Sequence, residues 1–153
     1  AEMVASYSSI NEKMTALPKL REEALALCDA DAKAYLRVSE LWKLPKDNPL
    51  RMSELDSALA AATKIPLQTM AICKDVLIAM GSIVAELNPM LASDLAIAAT
   101  VINSAAKAGY LTANANIKYI ENKKQAIELQ NNANALLDYC IEHTASIEKM
   151  CKV

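Results

Sequence analysis

Asp94 stands in the run Asn88-Pro89-Met90-Leu91-Ala92-Ser93-Asp94-Leu95-Ala96-Ile97-Ala98-Ala99, where almost every neighbour is aliphatic or small. Burying an ionised carboxylate costs several kcal/mol unless partners or a helix N-terminus offset it, so one kept in such a run has a reason. Proton transfer and the gripping of a polar ligand are two. Ser93 and Asp94 equally suit a plain capping role at the head of a helix. A second carboxylate, Asp31, falls at helical spacing within Ala24, Cys28, Asp31, Tyr35, Val38 and Trp42, which the steps of four and three place on one face. Its alternative reading is an ion pair with a lysine or arginine of a neighbouring helix. Asn114 and Asn116 add two amides. Together these groups are more polar than a bundle interior needs for stability, and bundles build ligand sites from inward side chains of this kind. Cys140 and His143 form an i, i+3 pair, but two ligands do not make a zinc site and no third stands at helical spacing. No metal site is expected.

The elements that must hold these residues are helical. Two glycines, no phenylalanine and an Ala/Leu/Met/Lys/Glu-rich body leave little turn chemistry for a sheet. Residues 1 to about 8 read as the tail of a helix whose beginning is absent. A long helix is expected from about Asn11 to Trp42, with Pro18 as a kink or the true first turn. Asn48 caps the next, Pro49 to about Thr63, and Pro66 restarts the chain. From Pro66 to Leu87 one seam runs Met70, Cys73, Leu77, Met80, Val84, Leu87 and another Ile72, Val76, Ala79, Ile83. A helix apolar on nearly every side belongs at the centre of a bundle. The Asp94 helix is expected to run to Lys107 and stop before Gly109, followed by a short helix with Asn114, Asn116 and Tyr119. The last runs from about Asn122 to Cys151 on a Leu129, Ala133, Leu136, Cys140, Ile147, Cys151 stripe. The expectation is one all-α domain over 1–153, an antiparallel bundle around a central apolar helix, its N-terminal helix incomplete.

Composition narrows the partners. A net charge of −2 with both signs interspersed gives no basic field for nucleic acid. Cys28, Cys73, Cys140 and Cys151 lie far apart, as reduced thiols of a cytoplasmic protein would. No secretory signal is visible at the N-terminus. Lys74, Asp75 and Glu86 interrupt the apolar stretch Ile65 to Leu87, and Leu91 to Ala106 is short for a bilayer, so no membrane span is expected.

In order along the chain, Asp29-Ala30-Asp31-Ala32-Lys33-Ala34-Tyr35, Leu44-Pro45-Lys46, Ile65-Pro66-Leu67, Asn88-Pro89-Met90-Leu91-Ala92-Ser93-Asp94 and Asn116-Ile117-Lys118 resemble the folate family of formimidoyltetrahydrofolate cyclodeaminases and methenyltetrahydrofolate cyclohydrolases. The resemblance spans essentially the whole chain. It implies an all-helical, cyclodeaminase-like fold, a homodimer, a reduced folate as substrate, and no cofactor beyond that tetrahydrofolate derivative. It makes Asp94 the catalytic candidate, with Asp31, Ser93, Asn88, Asn114 and Asn116 as substrate-binding candidates. The sequence departs from the family pattern at Leu95, where a small residue is usual, and at Asn114, where an arginine is common. The family's glycine-rich loop and a lysine-rich segment after its first helix have no counterpart here. An alternative reading is therefore a non-catalytic relative acting as a folate-binding or structural dimeric subunit, and a third is a helical adaptor unrelated to folate.

The implied chemistry is cyclodeamination to 5,10-methenyltetrahydrofolate with loss of ammonia, or hydrolysis of the methenyl compound. One group must accept a proton and return it. A carboxylic acid does this well when burial raises its pKa toward the working pH. Asp94 is assigned that role, with Asp31 and Asn116 positioning the pterin or the amidine.

Overall fold

The computed structural model describes residues 2–152, with side chains from residue 8 onward. It contains five helices, α1 (Glu2–Lys13), α2 (Leu17–Lys43), α3 (Pro49–Ile83), α4 (Ala92–Ile117) and α5 (Lys123–Cys151), and no strand among the described residues. Short 3-10 turns at Val84–Glu86 and Pro89–Leu91 join α3 to α4.

The expected Asn11–Trp42 helix is two pieces. α1 ends at Lys13 and α2 begins at Leu17, with Pro18 in its first turn, where the missing N–H has no helical partner to lose. Asn48 caps α3 as expected, its Oδ1 accepting from the Leu50 and Arg51 amides at 3.0 and 3.4 Å. Pro66, however, does not restart the chain: α3 is one helix of 35 residues that runs straight through it. Proline removes one helical hydrogen bond, but α3 packs against α2, α4 and α5, and that burial holds the helix together.

Gly109 is also no stop. It lies buried in the middle of α4, where a Cβ would stand 2.9 Å from Met70 Cγ and 3.1 Å from the Pro66 carbonyl oxygen. The absence of a side chain lets the two backbones close on each other at the proline. Asn114 and Asn116 consequently belong to the last turns of α4 rather than to a separate short helix, and Tyr119 lies in the turn beyond. Asn122 caps α5 through the Gln125 amide at 3.2 Å. The connection before it is clamped by Asp56 of α3, whose two carboxylate oxygens each accept a backbone N–H, from Glu121 and Asn122, at 2.8 Å.

α3 is the central helix. Its first expected seam is largely buried, with Met70, Cys73, Leu77 and Met80 packing against α4 and α5. Its second is mostly half-buried, for a reason that bears on function. α2 and α4 both lie on α3 but hardly touch one another, and Ile72 and Val76 floor the gap between them. Neighbours in the chain run antiparallel: Thr100 of α4 meets Glu148 of α5 and Tyr110 meets Asn134. α2 and α4 therefore point one way, α3 and α5 the other. α3 and α4 each hold an 18-residue window apolar enough to cross a bilayer, with mean hydropathy 1.5 and 1.3. The expectation that the α4 stretch is too short is corrected, because that helix continues past Ala106 to Ile117.

Candidate functional site

The gap between α2 and α4 forms an open cleft. Leu17, Leu20, Arg21 and Ala24 form one wall, Ile102 and Ala105 the other, and Thr69, Ile72, Cys73 and Val76 the floor, enclosing about 650 Å³. A second depression of about 350 Å³ shares Ala24, Thr69 and Ala105 with it and continues along α4 to Ala108, Gly109 and Thr112, with Leu27, Cys28 and Asp31 opposite. The two make one long cleft. Its floor is largely aliphatic, with the Thr69 hydroxyl donating to the Ile65 carbonyl at 3.3 Å, and its charged groups stand on the rim, Arg21 and Glu22 at one end and Asp31 at the other.

The two carboxylates are exposed, not buried. The helical face of α2 that packs inward is Ala34, Val38 and Leu41, rotated from the expected Ala24-Cys28-Asp31-Tyr35-Val38-Trp42 seam. Cys28, Asp31 and Tyr35 consequently turn toward the cleft and solvent. Asp94 lies in the first turn of α4, exposed, where the helix dipole favours its charge. The interior position expected for both is corrected by this geometry. Neither takes part in an ion pair among the described residues, so the expected pairing of Asp31 with a basic side chain is not found.

Within one chain the site residues form two groups. Asn88, Ser93 and Asp94 gather at the head of α4. Asn88 caps the 3-10 turn through the Met90 amide at 3.0 Å, and Ser93, exposed, is not the cap, because α4 begins at Ala92 with no side-chain cap. Asp31, Asn114 and Asn116 belong to the far end. At 1.5 Å per residue, the fifteen positions from Asp94 to Gly109 beside Asp31 separate the two groups by about 22 Å. Asn116 follows Thr112 by one turn of α4, beyond the residues that line the cleft. The Asn114 Oδ1 is closed off from solvent with no partner, as is that of Asn103 three turns earlier.

Two other groups are accounted for. His143 takes the Tyr139 carbonyl at 2.9 Å through Nδ1 and stacks on the Tyr139 ring at 3.6 Å, over which Lys74 also sits. Cys140 is fully buried, and desolvation, then Cys73 nearby, push its thiol up to about 11. Desolvation likewise raises Cys73. Both are thiols at neutral pH and poor nucleophiles. All four cysteines are free.

The sequence reading missed the cleft itself. The signal was present in the second apolar seam of α3: a helix with two seams needs partners on both sides, and here the partners on one side stand apart.

Residues 2–135 match the sequence model described as formiminotransferase-cyclodeaminase. The fold is similar to the crystal structure of formiminotetrahydrofolate cyclodeaminase from Thermotoga maritima, with a TM-score of 0.74 and 22% identity over 95% of this chain and 73% of that one. No curated protein matches the sequence.

Proposed function

The chain belongs to the formiminotransferase-cyclodeaminase family, and from that premise we propose that it serves one-carbon folate chemistry as a cytoplasmic homodimer. The reaction is cyclodeamination of 5-formimidoyltetrahydrofolate to 5,10-methenyltetrahydrofolate, or hydrolysis of the latter. The observation that carries the reading is the family match from residue 2 to 135, laid over a cleft whose volume falls within the roughly 300–1,000 Å³ of small-molecule sites. An aliphatic floor suits the flat faces of a pterin and an aminobenzoyl ring. Arg21 on the rim offers a cation to the carboxylates of a folate tail.

In the cyclodeamination, N10 attacks the formimidoyl carbon and gives up its proton. The amidine nitrogen takes that proton and one more from solvent and leaves as ammonia, and the methenyl product keeps the positive charge. Asp94 is the group assigned to carry the N10 proton, with Asp31, Asn116, Asn114, Ser93 and Asn88 holding the substrate. General acid-base help of this kind is worth about 10²–10⁴ in rate. The reading requires no metal and no cofactor besides the folate, and neither nucleic acid nor a bilayer enters it.

A second reading has a specific observation behind it: no single chain brings Asp94 to Asp31, which suits a folate-binding or structural relative that does no chemistry. Ammonia release from 5-formimidoyltetrahydrofolate separates the two. Turnover that falls about 10²–10⁴-fold in Asp94→Asn supports the enzyme. Folate binding by calorimetry without ammonia supports the second reading, and no heat on titration with a reduced folate removes both.

A further inference from the structure

At the end of the bundle away from Asp94, the turn between α2 and α3 faces the connection between α4 and α5. Lys46, Arg51, Met52, Leu55, Asp56 and Glu121 line a depression there of about 420 Å³. It holds two cations and two carboxylates, yet none of the four stands within ion-pair distance of another. Opposite charges around one cavity draw together and close the gap unless something holds them apart.

Here the backbone does. Arg51 lends Nη1 to the end of α2, donating to the Trp42 carbonyl at 3.2 Å and the Leu44 carbonyl at 2.8 Å. Asp56 is tied to the other connection, one carboxylate oxygen accepting the Glu121 amide and the other the Asn122 amide, each at 2.8 Å. Each fixed charge is thus anchored to a different turn. Capacity is left over on both sides. Nε and Nη2 of Arg51 and Nζ of Lys46 have no acceptor among the described residues, and the Glu121 carboxylate has no donor. Each Asp56 oxygen, with one amide bound, keeps a second lone pair. Met52, 72% exposed, and Leu55 add an aliphatic wall.

We infer that this depression is a binding site for a free α-amino acid with an aliphatic side chain, taken as the zwitterion. The ligand carboxylate lies against Arg51 and Lys46, where a guanidinium edge matches its two oxygens. The ammonium lies between Glu121 and Asp56, and the side chain rests on Met52 and Leu55. Every lining residue then has a counterpart. A simple anion would face the two carboxylates of the cavity and a simple cation would face Arg51 and Lys46, so a ligand carrying both signs is the one that satisfies all four charges. The volume lies within the roughly 300–1,000 Å³ of small-molecule sites and leaves room for bridging water around so small a ligand.

The site shares no lining residue with the cleft, so it stands apart from the folate reading. A bound amino acid joins the α2–α3 turn to the α4–α5 connection. Because the unfolded chain offers no such arrangement, binding raises the melting temperature.

Calorimetric titration and thermal melts of the wild-type chain with L-leucine test this. The expected result is a dissociation constant in the millimolar range and a melting temperature that rises with L-leucine. Leucinamide, which lacks the carboxylate, and N-acetyl-leucine, which lacks the ammonium, are each expected to bind about tenfold more weakly or worse. Lys46→Met and Glu121→Gln, whose side chains hold no other group among the described residues, are expected to fold normally and to weaken L-leucine by a similar factor. No heat and no shift with L-leucine overturns the proposal. So does leucinamide, N-acetyl-leucine or inorganic phosphate binding as well as L-leucine, because the cavity then reads one charge and not two. L-leucine binding unchanged in both variants places the amino acid elsewhere and overturns this site.

Discussion

α3 and α4 are the two most apolar helices of the chain, and they meet different fates. α3 has neighbours on three sides, and Leu59, Met70 and Leu77 are wholly inaccessible. α4 buries small residues, mostly alanines, against α3 and α5 and leaves Ile97, Val101 and Leu111 in the open. Composition alone does not separate them. The difference lies in which face carries the large side chains: on α3 most point at neighbours, whereas on α4 the alanines do, with Leu95 and Ile102 packed at the margin, so the backbones close up and Ile97, Val101 and Leu111 stay on the surface. A helix that spends its small residues on the core and its large ones on the surface has a second surface to satisfy.

The comparison can be broken most directly by truncation. Leu77→Ala on α3 should cost about 2–5 kcal/mol in urea unfolding, the transfer term plus the cavity it leaves. Ile97→Ala on α4 should change the stability of the isolated monomer by no more than about 0.5 kcal/mol. Equal losses at the two sites would abolish the distinction.

The point where the two helices touch sharpens it. Gly109→Ala places a Cβ against Met70 and the Pro66 carbonyl, and the strain should exceed the gain in helix propensity, for a net loss of about 1–3 kcal/mol. Gly81→Ala, on α3 with open space around it, should gain about 1 kcal/mol. Thermal melts of the two variants moving in the same direction would contradict the close approach.

The smallest effect is at the periphery, where Lys13 of α1 pairs with Glu86 and also donates to the Ser82 carbonyl at 3.1 Å. The lysine, then Ser9, hold the Glu86 carboxyl below its ordinary value. A carboxylate depressed in the folded state stabilises at pH above its unfolded pKa and loses that contribution as pH falls through the folded one. The protection factors of the α1 amides should therefore stay constant between about pH 5 and 7 and fall only below the usual glutamate pKa of about 4.3. In Lys13→Ala that acid-dependent step should vanish.

Much of this architecture was legible in the residues. The caps at Asn48 and Asn122 were, because their side chains act on amides two and three positions away, within reach of a local reading. The seam of α3 and the stripe of α5 were, because large side chains at steps of three and four face neighbours that cover them. Pro66 and Gly109 misled because their local preference for breaking a helix is overridden by a contact between them, forty-three positions apart in sequence. The face of α2 was assigned out of register because Cys28, Tyr35 and Trp42 are apolar and yet exposed. Asp94 was placed inside because aliphatic neighbours in sequence were taken for burial, whereas a helix rich in alanine has two apolar faces and this one covers only the first.

The most direct test is ammonia release from 5-formimidoyltetrahydrofolate. Asp94→Asn and Asp31→Asn chains are each predicted to lose about 10² or more in rate. No ammonia from the wild-type chain, or an Asp94→Asn chain working at the wild-type rate, would contradict the account.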